Sequence, residues 1–224
     1  TFISSLSLSF LKIQLKDKQK FNENLDMKKN ILKVVGIEIE ELSSDSISSI
    51  YNKDFASYSI DMSKNQISRL RISDLEESID NSTGTLTYFN NNIQYLPIYI
   101  YKPSSLYIIP ISGKGLWSTL FGYFALESDM NTVKGITFYK HKETPGLGGE
   151  VDKDWFQDNF VGKKIFDNQG NLVSIKVKKG IIASNDYHSV DAISGATITG
   201  DGLTKFLNND LNRYKKFLMK NMKK

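Results

Sequence analysis

The 224-residue chain is long enough to bury one substantial hydrophobic core. Its 40% hydrophobic and 24% charged content is ordinary for a globular protein, and a net charge of +4 gives no argument for nucleic acid as a partner. The absence of cysteine excludes disulfides, iron–sulfur clusters, thiol catalysis and any cofactor joined through sulfur, so a covalent cofactor must use oxygen or nitrogen. The only histidines, His141 and His188, lie far apart in sequence. Both are read as structural or exposed, and no metal site is expected.

Residues 1–15 are apolar but carry four serines and a lysine. The stretch is shorter than the ~20 apolar residues a bilayer span needs. It reads either as the tail of a membrane helix or as the start of an amphipathic one. Residues 16–224 are expected to form one folded domain, and 1–15 stay open between those two readings. Lysines gather at both ends, from Lys12 to Lys20 and from Lys215 to Lys224. They read as solvated helix faces, with a weak approach to anionic lipid as the alternative.

Residues 16–35 carry a stripe of Phe21, Leu25, Ile31, Leu32 and Val35, which predicts a helix, with Gly36 as its C-terminal stop. A second, short helix is expected over 45–53 and a strand over 55–62. Residues 63–92 are polar and nearly aperiodic, and read as loop with short strands. From there the pattern is β-branched and aromatic, predicting strands over 95–101 and 106–111. Strands over 119–127 and 133–141 flank the turn Ser128-Asp129-Met130-Asn131, an antiparallel hairpin signal. A short helix over 155–160, a turn at 167–170 and a strand over 172–178 follow. Leu203, Phe206, Leu207, Leu211, Tyr214, Phe217 and Leu218 recur at three- and four-residue spacing, the stripe of a final long helix. The fold class expected is α+β, a mainly antiparallel sheet flanked by helices.

Three stretches carry candidate chemistry. In Asp191-Ala192-Ile193-Ser194-Gly195-Ala196-Thr197-Ile198-Thr199, small and hydroxyl residues stand between a carboxylate and the final helix. Thr199 or Asp201 is a candidate N-cap, and a hydroxyl just before a helix N-terminus suits an anion such as phosphate. Generic chemistry alone would make this a capped helix entrance. In His141-Lys142-Glu143-Thr144-Pro145-Gly146-Leu147-Gly148-Gly149-Glu150, Pro145-Gly146 fits the centre of a type II turn. The glycines clear room for a flat ring, and Glu143 is placed to accept a hydrogen bond from a ring N–H; a glycine-rich hairpin end is the plain alternative. In Gly113-Lys114-Gly115-Leu116-Trp117-Ser118, the glycines read as a turn packing the indole into the core, since neither a dinucleotide fingerprint nor a P-loop is present.

The string Asp191 with Ser194-Gly195-Ala196-Thr197 resembles the acceptor motif of proteins that carry FMN covalently, in which a flavin transferase joins the flavin phosphate to the last threonine. Glu143-Thr144-Pro145-Gly146-Leu147-Gly148-Gly149 resembles a second signature of that family. The segment Gly113 to Ser118, with its spacing to Val133-Lys134-Gly135-Ile136-Thr137, is similar to one branch: the C subunits of sodium-translocating NADH:quinone reductases. The resemblance implies a covalent FMN phosphoester at Thr197, with Asp191, Ser194, Gly195 and Ala196 forming the acceptor loop. Glu143, Thr144, Gly146, Leu147 and Gly148 would line the ring, and Leu116, Trp117 and Ser118 would close the other side. It further implies a respiratory complex that passes electrons from NADH toward ubiquinone while exporting sodium. The partners implied are the other subunits, the transferase and, through an N-terminal helix, the bacterial inner membrane, with the FMN domain on its periplasmic side. The G subunit of a ferredoxin-linked complex shares the two flavin motifs, and a membrane-tethered binding module would need none of them for redox work. A hydrolase using Thr197 or Ser194 lacks a plausible base.

Overall fold

The computed structural model describes residues 2–222, with side chains from Leu15 onward except Asp17. Four helices surround an eight-stranded antiparallel sheet: α1 (Phe2–Val34), α2 (Ser44–Asp54), α3 (Asp154–Gln157) and α4 (Thr197–Asn221). The sheet contains β1 (Phe55–Asp61), β2 (Gln66–Ser68), β3 (Glu76–Ile79), β4 (Leu86–Asn90), β5 (Ile93–Tyr101), β6 (Leu106–Lys114), β7 (Thr119–Leu126) and β8 (Val133–Lys140). Its main path runs β2-β1-β5-β6-β7-β8, with the β3–β4 hairpin attached to β5. The α+β expectation holds.

The helix predicted over 16–35 is the C-terminal half of a single 33-residue helix. It stops as the sequence predicts. Gly36 takes φ +88°, its N–H donates to Lys33 O, and the Ile37 N–H reaches back to Leu32 O. Both orphan carbonyls are thereby satisfied. The expectation for residues 1–15 falls mostly outside the described side chains. Among the described residues no helix is long and apolar enough to cross a membrane.

Period-2 alternation divides the sheet into two faces. Ile109, Ile111, Leu120, Phe124, Ile136 and Phe138 face the buried stripe of α4, including Leu203, Phe206, Leu207 and Leu211. Leu106, Ile108, Tyr99, Tyr123 and Ala125 point the other way, against Ile31, Leu32 and Val35 of α1 and Ile47 of α2. Burial of the α4 stripe removes a large apolar surface from water, the main stabilising term for such a layer.

One edge of β5 is shared. Residues Ile93 to Tyr95 pair with β4, and Tyr99 to Tyr101 pair with β6. Between them the ladder is open. The register that pairs Tyr99 with Ile108 would set Pro97 opposite Pro110, and neither has an N–H to offer. Side chains of α4 take over the unpaired backbone. The Tyr214 hydroxyl donates to Pro97 O at 2.6 Å, and the Ser112 N–H donates to Asp210 Oδ2 at 2.8 Å. Arg213 donates to Leu86 O and to Asp210 Oδ1. Helix and sheet are thus joined by polar bonds as well as by apolar packing.

The strand expected over 172–178 is not continuous. Ser174 sits in left-handed backbone at φ +59°, and the N–H groups of Val173 and Ser174 both donate to Ile165 O. The chain bends there, leaving only β9 (Lys176–Lys178), which pairs in parallel with β10 (Ser189–Asp191). The tight turn at 167–170 is present, with Gly170 at φ +80° donating to Asp167 O.

Burial pushes the Asp210 carboxyl up to about 6, against the opposing pull of Arg213 and the Ser112 N–H. The folded chain therefore keeps a proton on Asp210 at pH values where the unfolded chain, at the ordinary 3.8, has released it. The stability contributed by Asp210 rises as pH falls through about 6 and levels off below about 3.8. In urea unfolding, the difference between wild type and Asp210→Asn should move in favour of wild type from about pH 7 down to about pH 4. A difference that stays flat across that window would contradict this.

Candidate cofactor site

The three sequence stretches meet at one end of the sheet. The β6–β7 hairpin closes with Gly115 N–H donating to Ser118 O at 2.9 Å, which leaves Leu116 and Trp117 at the tip. Trp117 is 70% exposed. The expectation that the glycines pack this indole into the core is therefore wrong. A two-residue loop at the end of a ladder projects its side chains beyond the sheet, and among the described residues no layer lies there to receive the ring. The glycines serve backbone approach instead. A Cβ on Gly113 would strike the Phe206 ring, and one on Gly202 would lie 2.3 Å from Lys114 O. Bare backbone at both positions lets the first turns of α4 lie directly on the end of β6.

Beneath the hairpin tip lies Glu143, 5% exposed. Its Oε1 accepts from the N–H of Trp117 and Ser118, each at 3.0 Å, and from the Ser118 hydroxyl. Its Oε2 accepts from the Leu116 N–H at 3.1 Å and from the Thr199 hydroxyl at 2.8 Å. Burial pushes the carboxyl up, but these hydrogen bonds outweigh it and hold the pKa below the usual glutamate range. The carboxylate is thus fully occupied by donors of its own chain. The role expected for it, accepting from a ring N–H, is taken by the hairpin and by Thr199.

The loop after Glu143 follows the sequence reading. Leu147 N–H donates to Thr144 O, and Gly146 stands at φ +75°, as the third residue of a type II turn requires. Glu150 braces the turn by accepting from Gly146 N–H and from the Trp155 indole N–H, each at 3.2 Å. His141 is structural: its Nδ1 accepts from the Glu143 N–H at 3.2 Å, and its Nε2 lies 3.4 Å from Asp152 Oδ2. Sequence reasoning missed both Glu150 and the coupling through His141, since neither spacing has a distinctive pattern.

At the third stretch, Gly195 turns with φ +74°, and a Cβ there would meet only Leu147 Cδ2, at 2.7 Å. Leu147 and Gly195 are therefore in direct contact, and the second and third motifs share a wall. Helix α4 begins at Thr197. Neither Thr199 nor Asp201 caps it; the N-cap position is Ala196, which has no side-chain acceptor. Nor does the first turn hold an acidic residue. The terminal N–H groups of a 25-residue helix are thus left without a side-chain partner, a preformed anion site. The two threonines differ sharply. Thr199 is 1% exposed and bound to Glu143. Thr197 is half-buried, and its hydroxyl makes no hydrogen bond among the described residues. Ser194 is exposed and Ala196 is buried. Asp191 stands apart from the Glu143 cluster at the end of β10, where its Oδ1 holds the Ile182 N–H at 2.9 Å.

The hairpin tip with exposed Leu116 and Trp117, the turn with exposed Gly146 and Leu147, and the uncapped start of α4 are thus brought together through Glu143, Thr199 and Gly195. A Cβ at Gly146 would meet nothing within 4 Å, so the turn leaves open space beside it. Apolar walls, open space and a helix N-terminus suit a flat ring system carrying a phosphate, which is the chemistry of FMN.

Gly148 tests the packing around Glu143 and Thr199. A Cβ there would lie 2.5 Å from Thr199 Oγ1 and 2.9 Å from Glu143 Oε2, both fixed. Gly148→Ala should destabilise the fold by about 1–3 kcal/mol through overpacking. Gly146→Ala, with free space but positive φ, should cost only about 1–2 kcal/mol. Denaturant unfolding of both variants measures the difference, and a neutral Gly148→Ala would refute the packing described.

Residues 115–212 match the FMN-binding domain family. The C subunit of the Na(+)-translocating NADH-quinone reductase from Vibrio campbellii is 37% identical over 219 residues, covering 91% of this chain and 83% of the relative. The C subunit of the Pseudomonas aeruginosa reductase is 30% identical over 222 residues, with 92% and 85% covered. Among solved structures, NqrC from Shewanella oneidensis superposes with a TM-score of 0.74 at 25% identity, covering 91% of this chain and 98% of the other. The C subunit from Parabacteroides distasonis gives 0.73 at 31% identity, covering 91% and 96%. The sheet with its flanking helices and these relatives together place the chain in the family of C subunits of Na(+)-translocating NADH-quinone reductases.

Proposed function

We propose that this chain is an electron-transfer subunit that carries FMN covalently on Thr197, within a sodium-exporting NADH:ubiquinone oxidoreductase. The observation that carries the proposal is the contrast between the two threonines of α4. Thr199 is buried and bound to Glu143, whereas Thr197 stands at the first helical position with a hydroxyl that makes no hydrogen bond among the described residues. A phosphoester at Thr197 would set the phosphate oxygens against the N–H groups of the first turn. In its formation, Thr197 Oγ1 bonds to the phosphorus of an activated flavin phosphate. The bond from that phosphorus to its leaving group breaks, and the hydroxyl proton is lost to solvent. A flavin transferase would supply the activated donor, with Asp191 and Ser194-Gly195-Ala196 as the loop it recognises.

When bound, FMN supplies one-electron redox chemistry. The chain's own residues supply attachment, orientation and shielding. Leu116, Trp117 and Leu147 would cover the ring, Ser118, Thr144 and Gly146 would frame it, and Gly148 keeps the floor thin enough for Glu143 and Thr199 to meet. The site has no need to bind NADH, and the chain carries no dinucleotide fingerprint. Electrons would pass to and from neighbouring subunits on the periplasmic side of the bacterial inner membrane, with a helix at the N-terminus as the tether. The names of the relatives support a place within a Na(+)-translocating NADH-quinone reductase.

Intact mass and peptide mapping after co-expression with a flavin transferase test the attachment. The wild-type chain should gain one FMN less one water on the peptide containing Thr197. Thr197→Ala should gain nothing while keeping its unfolding free energy within about 0.5 kcal/mol of wild type. A flavin mapped to another residue, or none despite an active transferase, would overturn the reading.

A further inference from the structure

The five hydrogen bonds to Glu143 join two elements that lie far apart in the chain. Three backbone N–H groups come from the β6–β7 hairpin tip, and one hydroxyl comes from the first turn of α4. The Ser118 hydroxyl adds a fifth contact and also accepts from the Lys142 N–H, at 2.7 Å. The enclosure is tight. Cβ atoms on Gly115 and Gly148 would each come within 2.9 Å of the Glu143 carboxylate. On the other side, His141 Nδ1 receives the Glu143 N–H and fixes the backbone from which the side chain projects. An ionised carboxylate so placed cannot release one partner without leaving a buried charge short of donors.

We propose that Glu143 is a positioning residue. By clamping Leu116, Trp117 and Ser118 to Thr199, it sets the spacing between the exposed Trp117 wall and the acceptor hydroxyl of Thr197, and so controls how readily flavin is accepted. The role rests on the proposed attachment at Thr197. It differs from direct contact with the flavin, because the carboxylate has no acceptor site to spare. Glu143→Gln keeps the shape of the side chain but replaces one acceptor oxygen with an NH2 group. That group faces the N–H groups of the hairpin, or the Leu116 N–H beside Thr199, and at least one clamp bond is lost whichever way the amide turns.

The test uses the whole chain, first without flavin and then with the transferase. In the flavin-free protein, hydrogen exchange at the amides of residues 116–118 should be at least about tenfold faster in Glu143→Gln than in wild type. Initial rates of covalent flavin incorporation, followed by intact mass, should fall by about tenfold. Thr199→Val cuts only the bond to α4. It should slow incorporation while leaving the hairpin amides protected, and it keeps the test decisive should Glu143→Gln fail to fold. Ile108→Val, on the opposite face of the sheet, controls for general loss of stability and should load at the wild-type rate. Unchanged exchange in Glu143→Gln, wild-type loading of Thr199→Val, or equal slowing in Ile108→Val would each overturn the proposal. A wild-type chain that accepts no flavin would instead sink the attachment at Thr197, and the exchange data would still decide whether the clamp exists.

Discussion

A buried carboxylate must find donors, and in this chain that requirement gathers the site. Glu143 is removed from water beneath the hairpin tip, where an uncompensated charge would be costly. The donors that satisfy it come from two separate elements, so the charge cannot be accommodated unless both are in place. The hairpin tip supplies backbone N–H groups, which survive any side-chain substitution at those positions other than proline. Helix α4 supplies a single hydroxyl, from Thr199. One of the two threonines is thus committed to structure, and the other, half a turn earlier, is the one proposed to carry the flavin.

Helix α4 joins the site to the core on its face of the sheet. Its first turns lie on the end of β6, permitted by bare backbone at Gly113 and Gly202. Its middle fills the core with Leu203, Phe206, Leu207 and Leu211. Its later turns repair the sheet where Pro97 and Pro110 interrupt pairing, through Asp210, Arg213 and Tyr214. A helix fastened along its length by apolar and polar contacts cannot slide or swing at its N-terminus without disturbing its other contacts. That rigidity suits the attachment proposed at Thr197, since electron transfer depends on a fixed position relative to the partner.

The exposed segments beside the head of α4 are braced as well. The Pro145-Gly146 turn is exposed, yet Glu150 ties it to Trp155, and Leu147 rests on Gly195. The hairpin tip is exposed, yet Glu143 holds each of its N–H groups from below. Exposed apolar side chains on held backbone can cover a flat ligand at little entropic cost, because the ordering has been done in the free protein.

Much of the fold was legible in the sequence because local patterning specified it. The α4 stripe, the Gly36 stop and the strands around Ser128 to Asn131 each follow from side-chain period or turn chemistry acting over a few residues. The three motifs were visible as strings, and Thr197 was chosen over Thr199 by resemblance. What only the tertiary structure decided were contacts between residues distant in the chain. The glycines before Trp117 suggest a turn that packs the indole into the core, whereas the resemblance sets it against the flavin; whether an indole is buried depends on whether a layer lies above it, and among the described residues none does. The strand at 172–178 was broken because Ile165, a non-local carbonyl, captured two of its N–H groups. Glu143 looked free to meet a ligand because its donors lie 25 to 56 residues away in sequence. Sequence period fixes which face an element buries; hydrogen bonds across long separations decide which polar groups are left free for function.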